Sequence, residues 1–127
     1  MTLRSKGKRS FKKSLRDCLN GLEYVVVNED NFKREIVLGI IALLLGVFLK
    51  ISKIEFIIIL FVIALVLFAE IINTTLEKVV DLYTTEYNEK ARIVKDVAAS
   101  SVIIICFFAV VIGLIIYIPK ILIILGG

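Results

Sequence analysis

Residues 56–69, Phe56-Ile-Ile-Ile-Leu-Phe-Val-Ile-Ala-Leu-Val-Leu-Phe-Ala69, are almost pure hydrocarbon. They run straight into Glu70-Ile-Ile-Asn73-Thr-Thr-Leu-Glu77-Lys-Val-Val-Asp81. With Ile54 and Ile72 as its limits, the apolar run is long enough to cross a bilayer as one helix. At about 100° per residue, Glu70, Asn73, Glu77 and Asp81 fall within about 80° of arc, one face of a helix leaving the membrane. A carboxylate at membrane depth costs roughly 2.5–3.5 kcal/mol on insertion scales. A group kept there at that cost pairs, binds an ion or handles protons, so this line of acids is the candidate functional centre.

The remainder of the chain fits the same class. Its 127 residues are 59% hydrophobic with a mean hydropathy of +0.96, the composition of a polytopic membrane protein. The length suits one domain, residues 1–127. Two further apolar runs, Ile36 to Leu49 and Val97 to Ile118, give three expected membrane helices. The first is short and must borrow from its flanks, so the expected limits are 31–51, 54–82 and 89–118. Lys50-Ile-Ser-Lys53 is a tight turn, making the first two spans an antiparallel hairpin. The polar link after Asn73 continues the second helix to about Leu82, turns at Tyr83–Asn88 and restarts near Glu89. Pro119 is expected to end the third helix.

Ahead of the spans, residues 1–30 form an amphipathic arm. Phe11, Leu15, Cys18, Leu19, Leu22, Val25 and Val26 cluster within about 120° of arc, while Lys12, Lys13, Arg16, Asp17, Asn20 and Glu23 face elsewhere. The pattern suits a surface helix at the membrane interface, with packing on another subunit as the alternative. Residues 1–35 carry nine Lys/Arg and the 73–96 link four, against three in the 50–55 turn and the C-terminal tail together. The positive-inside rule then puts the N-terminus and the acidic face in the cytoplasm and the C-terminus outside.

Composition also excludes chemistry. With no histidine, proton transfer near neutral pH falls to a carboxylate, a lysine or water. No Gly-rich phosphate loop and no zinc motif is present, and nucleic acid is not an expected partner. Cys18 and Cys106 lie far apart without ligand spacing and read as reduced thiols. The basic N-terminus is not a cleavable signal peptide, because the apolar run starts only at Ile36.

Glu29, Asp30, Glu35, Glu70, Glu77, Asp81, Glu86, Glu89 and Asp96 gather at the cytoplasmic boundary, with Lys90, Arg92 and Lys95 among them. Mg²⁺ binds through one or two carboxylates plus waters and phosphates, and phosphoryl transfer needs such an ion, a cation and a base. Glu70, deepest in the membrane, is placed to meet a lipid hydroxyl, and Glu77, two turns nearer water, to hold metal. For Asp30, Glu86, Glu89 and Lys90 a solvated face with i, i+4 pairing is the more economical reading. A transporter or channel subunit with Glu70 as an ion site, or a scaffold held together by polar residues, remain the competing classes. The density of acids beside lysine favours phosphate–metal chemistry over both.

The run Glu70-Ile-Ile-Asn73-Thr-Thr-Leu-Glu77-Lys-Val-Val-Asp81 resembles the signature of the prokaryotic diacylglycerol kinase / undecaprenol kinase family. Asn28-Glu29-Asp-Asn-Phe32 and Lys95-Asp96-Val-Ala-Ala-Ser resemble its other two marked stretches, in order and at matching spacing. The resemblance implies an all-α integral membrane protein: three transmembrane helices, an N-terminal surface helix, and a homotrimer with active sites shared between chains in the bacterial inner membrane. It implies a kinase that uses MgATP on a lipid alcohol. Carried over by position, Glu70 is the catalytic base with Asn73 close to the chemistry, and Glu29 and Glu77 bind metal. Asp81, Glu86, Lys95 and Asp96 line the nucleotide site with them, and Phe32, Glu35, Glu70 and Ala99 lie beside the lipid.

Thr75 stands where the family usually has Ala or Ser, and Asn88 where it often has His. Arg9 and Lys12 both match its early arginine, and neither is assigned. Val97-Ala98-Ala99, Pro119-Lys120 and the absence of tryptophan resemble the undecaprenol branch of Gram-positive bacteria more than the diacylglycerol branch.

Overall fold

A computed structural model describes residues 7, 8 and 10–126, of which 11–126 hold four helices: α1 Phe11–Asn28, α2 Asp30–Phe48, α3 Lys53–Tyr83 and α4 Glu89–Gly126. The candidate Arg9 and the first six residues of the arm lie outside the described residues. No strand occurs among the described residues. The helix limits follow local chemistry. Ser10 caps α1, its side chain accepting from the Lys13 N–H at 3.3 Å. A single extended residue, Glu29 (φ −110, ψ 106), separates α1 from α2. Its N–H closes α1 on the Val25 carbonyl at 2.9 Å, so the surface helix turns directly into the bundle.

The α2–α3 hairpin closes in a double hydrogen-bonded cap. Ile51 N–H donates to Gly46 O and Lys50 N–H to Val47 O, both at 3.2 Å, with Lys50 in the left-handed region at φ 54. Glycine usually takes that position, so Lys50 carries some backbone strain to make the turn. Ser52 and Glu55 then form a reciprocal capping box on α3. The α3–α4 turn, Thr84–Asn88, starts α4 with Asn88, whose side-chain oxygen accepts from the Ala91 N–H at 3.1 Å.

Three helices pack as an antiparallel bundle, with the most extensive contact between α3 and α4. The core is small: Leu49, Ile59, Ile116 and Tyr117 at the hairpin end, with Val80 and Ala98 near the acidic end. Tyr117 donates its hydroxyl to the Ala42 carbonyl at 2.7 Å, tying α4 to α2. Gly39 lets α2 and α3 approach, since a Cβ there would stand 3.0 Å from Ile63 Cγ2.

Most large apolar side chains point outward, Phe61, Ile103 and Phe107 among them. α3 and α4 are each long and apolar enough to cross a membrane. α2 is shorter and does not meet that measure, with Lys33, Arg34 and Glu35 in its first turns.

One expectation is corrected. α4 does not stop at Ile118; it passes through Pro119 and ends at Gly126. Proline removes one N–H, so the Ile115 carbonyl loses its helical donor. Tertiary contacts outweigh that local loss: Ile121 packs on the core cluster, and Lys120 reaches Glu55 of α3 at 3.6 Å.

Candidate active site

α3 carries the centre. Glu70, Asn73 and Thr74 are its buried polar residues, 3%, 7% and 4% exposed. Because they recur on one face, the α3 surface packed toward α2 and the α1–α2 junction is polar where the rest of the helix is greasy. Asn73 donates through Nδ2 to Glu77 Oε1 at 3.3 Å, fixing the Glu77 carboxylate one turn further on. The other end of that amide, Asn73 Oδ1, is buried and has no partner among the described residues, and the same holds for Thr74 Oγ1 and Glu35 Oε2. Buried acceptors are rarely left so, and three together mark a place where a ligand, water or neighbouring chain completes the bonding.

The extended junction residue Glu29 brings a second carboxylate to this face, where Lys78 of α3 stands 3.8 Å from its Oε1. Asn31, on the first turn of α2, is the hydrogen-bonding neighbour of Glu70, and the charges of Glu29 and Glu77 both act on it. Glu35 lies near enough to feel Glu70 as well. Four carboxylates thus converge from α2, α3 and the junction, and such a cluster in a partly desolvated place calls for cations.

No group of three or more His, Cys, Asp or Glu among the described residues forms a closed metal cage. The donor set still fits magnesium. It is all oxygen: Glu77 is held by Asn73, whose Oδ1 is unpartnered among the described residues, Glu29 and Glu77 both act on Glu70, and Mg²⁺ takes its remaining ligands from water and phosphate.

One turn beyond Glu77, Asp81 opens onto a cleft of about 290 Å³ at the α3–α4 turn. Asp81, Glu86, Lys95 and Asp96 all line it, so the structure assembles the four residues expected around a nucleotide. Lys95 holds Asp81 at 2.7 Å across the two helices. Arg92 also lines this cleft and was given no role by sequence reasoning. It is clamped by Glu89 at 2.6 Å and Asp96 at 2.8 Å, and Tyr87 donates to the other Glu89 oxygen at 2.6 Å. The i, i+3 and i, i+4 spacing from Glu89 to Arg92 to Asp96 was the available signal. Asn88 spends its side-chain oxygen on capping α4, and Thr75 turns its hydroxyl back to the Ile71 carbonyl at 2.8 Å.

The expected lipid-side residues fall differently. Phe32 is 2% exposed and packs inside the chain. Glu35 sits at the end of a second, apolar cleft of about 320 Å³ between α2, α3 and α4. Ala99 is half-buried one residue from the buried Ala98.

Comparison with known proteins bears on this arrangement. A family model described as prokaryotic diacylglycerol kinase matches residues 16–117. The undecaprenol kinase of Bacillus subtilis is 32% identical over 110 residues, covering 87% of this chain and 89% of that protein. The diacylglycerol kinase of Haemophilus influenzae is 36% identical over 96 residues, covering 75% and 81%. That of Escherichia coli K12 is 31% identical over 91 residues, covering 72% and 75%.

Proposed function

The chain belongs to the prokaryotic diacylglycerol kinase family and is a lipid kinase, and from that premise we propose that it phosphorylates undecaprenol with ATP at the cytoplasmic face of the cell membrane. The observation that carries the reading is the junction of two environments on one helix face. Glu70 is buried among apolar residues and acids, while three turns further on Asp81 opens into the polar cleft with Lys95.

In this mechanism the lipid hydroxyl gives its proton to Glu70 as its oxygen attacks the γ-phosphorus. The new bond is from lipid oxygen to phosphorus. The bond from the γ-phosphorus to the bridging oxygen breaks, and its electron pair leaves on ADP. Asn73 holds Glu77 in place and offers its free oxygen to the reaction centre. Lys95 exchanges Asp81 for phosphate oxygens and offsets their charge. Glu29 and Glu77 are the residues that would hold Mg²⁺, which when bound would neutralise phosphate charge. Asp81, Glu86 and Asp96 line the nucleotide cleft, and Phe32, Glu35 and Ala99 the lipid side.

Three membrane spans, with α2 as the third, and a cytoplasmic N-terminus agree with the lysine and arginine distribution. A homotrimer with shared sites agrees with the unpartnered buried acceptors and the outward-facing apolar belt. Diacylglycerol is the second reading, favoured by the 36% identical relative that carries that name.

Transfer of labelled phosphate from ATP in detergent micelles tests the proposal, with undecaprenol and diacylglycerol offered separately, with and without Mg²⁺. Mg²⁺-dependent labelling of undecaprenol supports it. Labelling of diacylglycerol alone would move the chain to the second reading. No labelling of either by a folded oligomer would refute both.

A further inference from the structure

Arg92 stands on the wall of the cleft at the α3–α4 turn, and the transfer mechanism makes no use of it. Asn88, Arg92, Lys95 and Asp96 recur at helical spacing, so they form one stripe of α4 along this cleft. Arg92 lies three residues before Lys95, about 4.5 Å further along α4 from the Glu70 centre.

Its side chain is half-exposed, yet its guanidinium is fixed at two edges. One terminal nitrogen donates to Glu89 Oε1 at 2.6 Å and the other to Asp96 Oδ2 at 2.8 Å. Glu89 is fixed in turn, because the Tyr87 hydroxyl donates to its second oxygen at 2.6 Å. The Arg92 guanidinium, and after it that hydroxyl, hold the Glu89 carboxyl below its usual range, so the group stays ionised.

We infer that Arg92 is a stacking platform for the nucleobase of the nucleoside triphosphate, receiving the flat face of the base while Lys95 serves the phosphates. The inference rests on the lipid-kinase reading and adds to it the base end of the co-substrate.

The first reason is geometry. The N–H donors of a guanidinium all lie in its plane. Carboxylates bonded to both terminal nitrogens therefore occupy the rim and leave the flat faces uncommitted. Such a face stacks on aromatic rings, and one already held in place loses less freedom when it does so. The second reason is charge. Two carboxylates against one guanidinium leave the trio net negative, which repels a phosphate but not a neutral base. The third reason is position. A nucleotide with its phosphates on Lys95 and its γ end toward Glu77 and Glu70 carries its nucleoside past Lys95 in the opposite direction. Arg92 is the next residue of the stripe on that side. Exposed ion pairs add little to folding, so the chain of bonds from Tyr87 to Asp96 is poorly accounted for as a stability device.

The test follows displacement of radiolabelled ATP from the full chain in detergent with Mg²⁺. The competitors are ATP, ribose 5-triphosphate and inorganic triphosphate. Stacking of a base is worth about tenfold or more in affinity, so both base-free competitors should bind the unmodified protein weaker than ATP by that factor. Arg92→Met should weaken ATP about tenfold and leave the two base-free competitors as they were. Arg92→Tyr returns a flat face without the charge and should bring ATP back to within about threefold. Arg92→Lys keeps the charge without the plane and should behave like Arg92→Met.

Ribose 5-triphosphate binding as tightly as ATP overturns the inference, and that result needs no variant. Equal weakening of ATP and inorganic triphosphate in Arg92→Met also overturns it, by making Arg92 a phosphate contact. Rescue by Arg92→Lys, or unchanged ATP affinity in Arg92→Met, would leave a charge or a surface ion pair and no platform. Displacement requires neither lipid nor turnover. Base-dependent ATP binding without transfer to any lipid would sink the kinase mechanism at Glu70 and sustain the platform, whereas absence of ATP binding would sink both.

Discussion

Glu70 and Asp81 both belong to α3 and both are acids, yet they meet opposite surroundings. Glu70 is 3% exposed, whereas Asp81 is open to solvent and paired with Lys95 at 2.7 Å. This difference suits the first to the proposed proton handling and the second to the proposed contact with ligand charge. General-base catalysis contributes about 10²–10⁴-fold, so Glu70→Gln should lower kcat by about that factor. Glutamine keeps the size and the hydrogen bond to Asn31, and nucleotide binding measured by a fluorescent ATP analogue should persist. Full activity in Glu70→Gln would remove the base role. A charge-assisted hydrogen bond is worth about 1.5–3 kcal/mol. Lys95→Met should therefore raise KM for ATP about tenfold or more, with a smaller change in kcat. An unchanged KM would show that Lys95 serves only Asp81. Residues 70, 73, 77 and 81 are legible in the sequence because a helical period and an apolar flank suffice to place them on one face. Arg92 is not, since its i, i+3 and i, i+4 spacing to Glu89 and Asp96 allows an ion pair but does not place it on a cleft.

At the level of elements, starts and stops were almost wholly local. Ser10, the Ser52–Glu55 capping box and Asn88 are cap chemistry written in short-range sequence, and the 84–88 turn fell where the polar residues cluster. The exception is the end of α4, where Pro119 signals a stop and packing against α2 and α3 overrides it. Tyr117, two residues earlier, holds that packing. Tyr117→Phe deletes the bond to the Ala42 carbonyl and keeps the ring, so it should destabilise the bundle by about 0.5–1.5 kcal/mol. Thermal unfolding in detergent reads this as a lowered midpoint, and an unmoved midpoint would mean the bond adds nothing net. The same cap logic explains why α1 and α2 remain separate helices. One extended residue, Glu29, breaks them, and in doing so swings its carboxylate into the acid cluster.

For the whole molecule the governing fact is how little of the apolar surface is internal. Among the described residues eight hydrophobic ones are buried, while side chains such as Leu44, Phe61, Phe107 and Ile115 face outward, which is stable only in lipid or against further chains. Cys18 on α1 is exposed and supplies a probe of orientation. A membrane-impermeant maleimide applied to intact spheroplasts should leave it unlabelled, and permeabilisation should expose it. Labelling from outside would invert the proposed topology. The sequence alone determined the class of the protein, the number of its helices and the acid-bearing face, because hydrocarbon runs, caps and helical period act over a few residues. Only the tertiary structure decided that α4 continues past Pro119 and that Glu29 and Glu35 reach the Glu70 neighbourhood. It alone revealed a groove between α2, α3 and α4 that ends at Tyr117. Those outcomes depend on which side chains of separate helices meet, and distance along the chain carries no record of that.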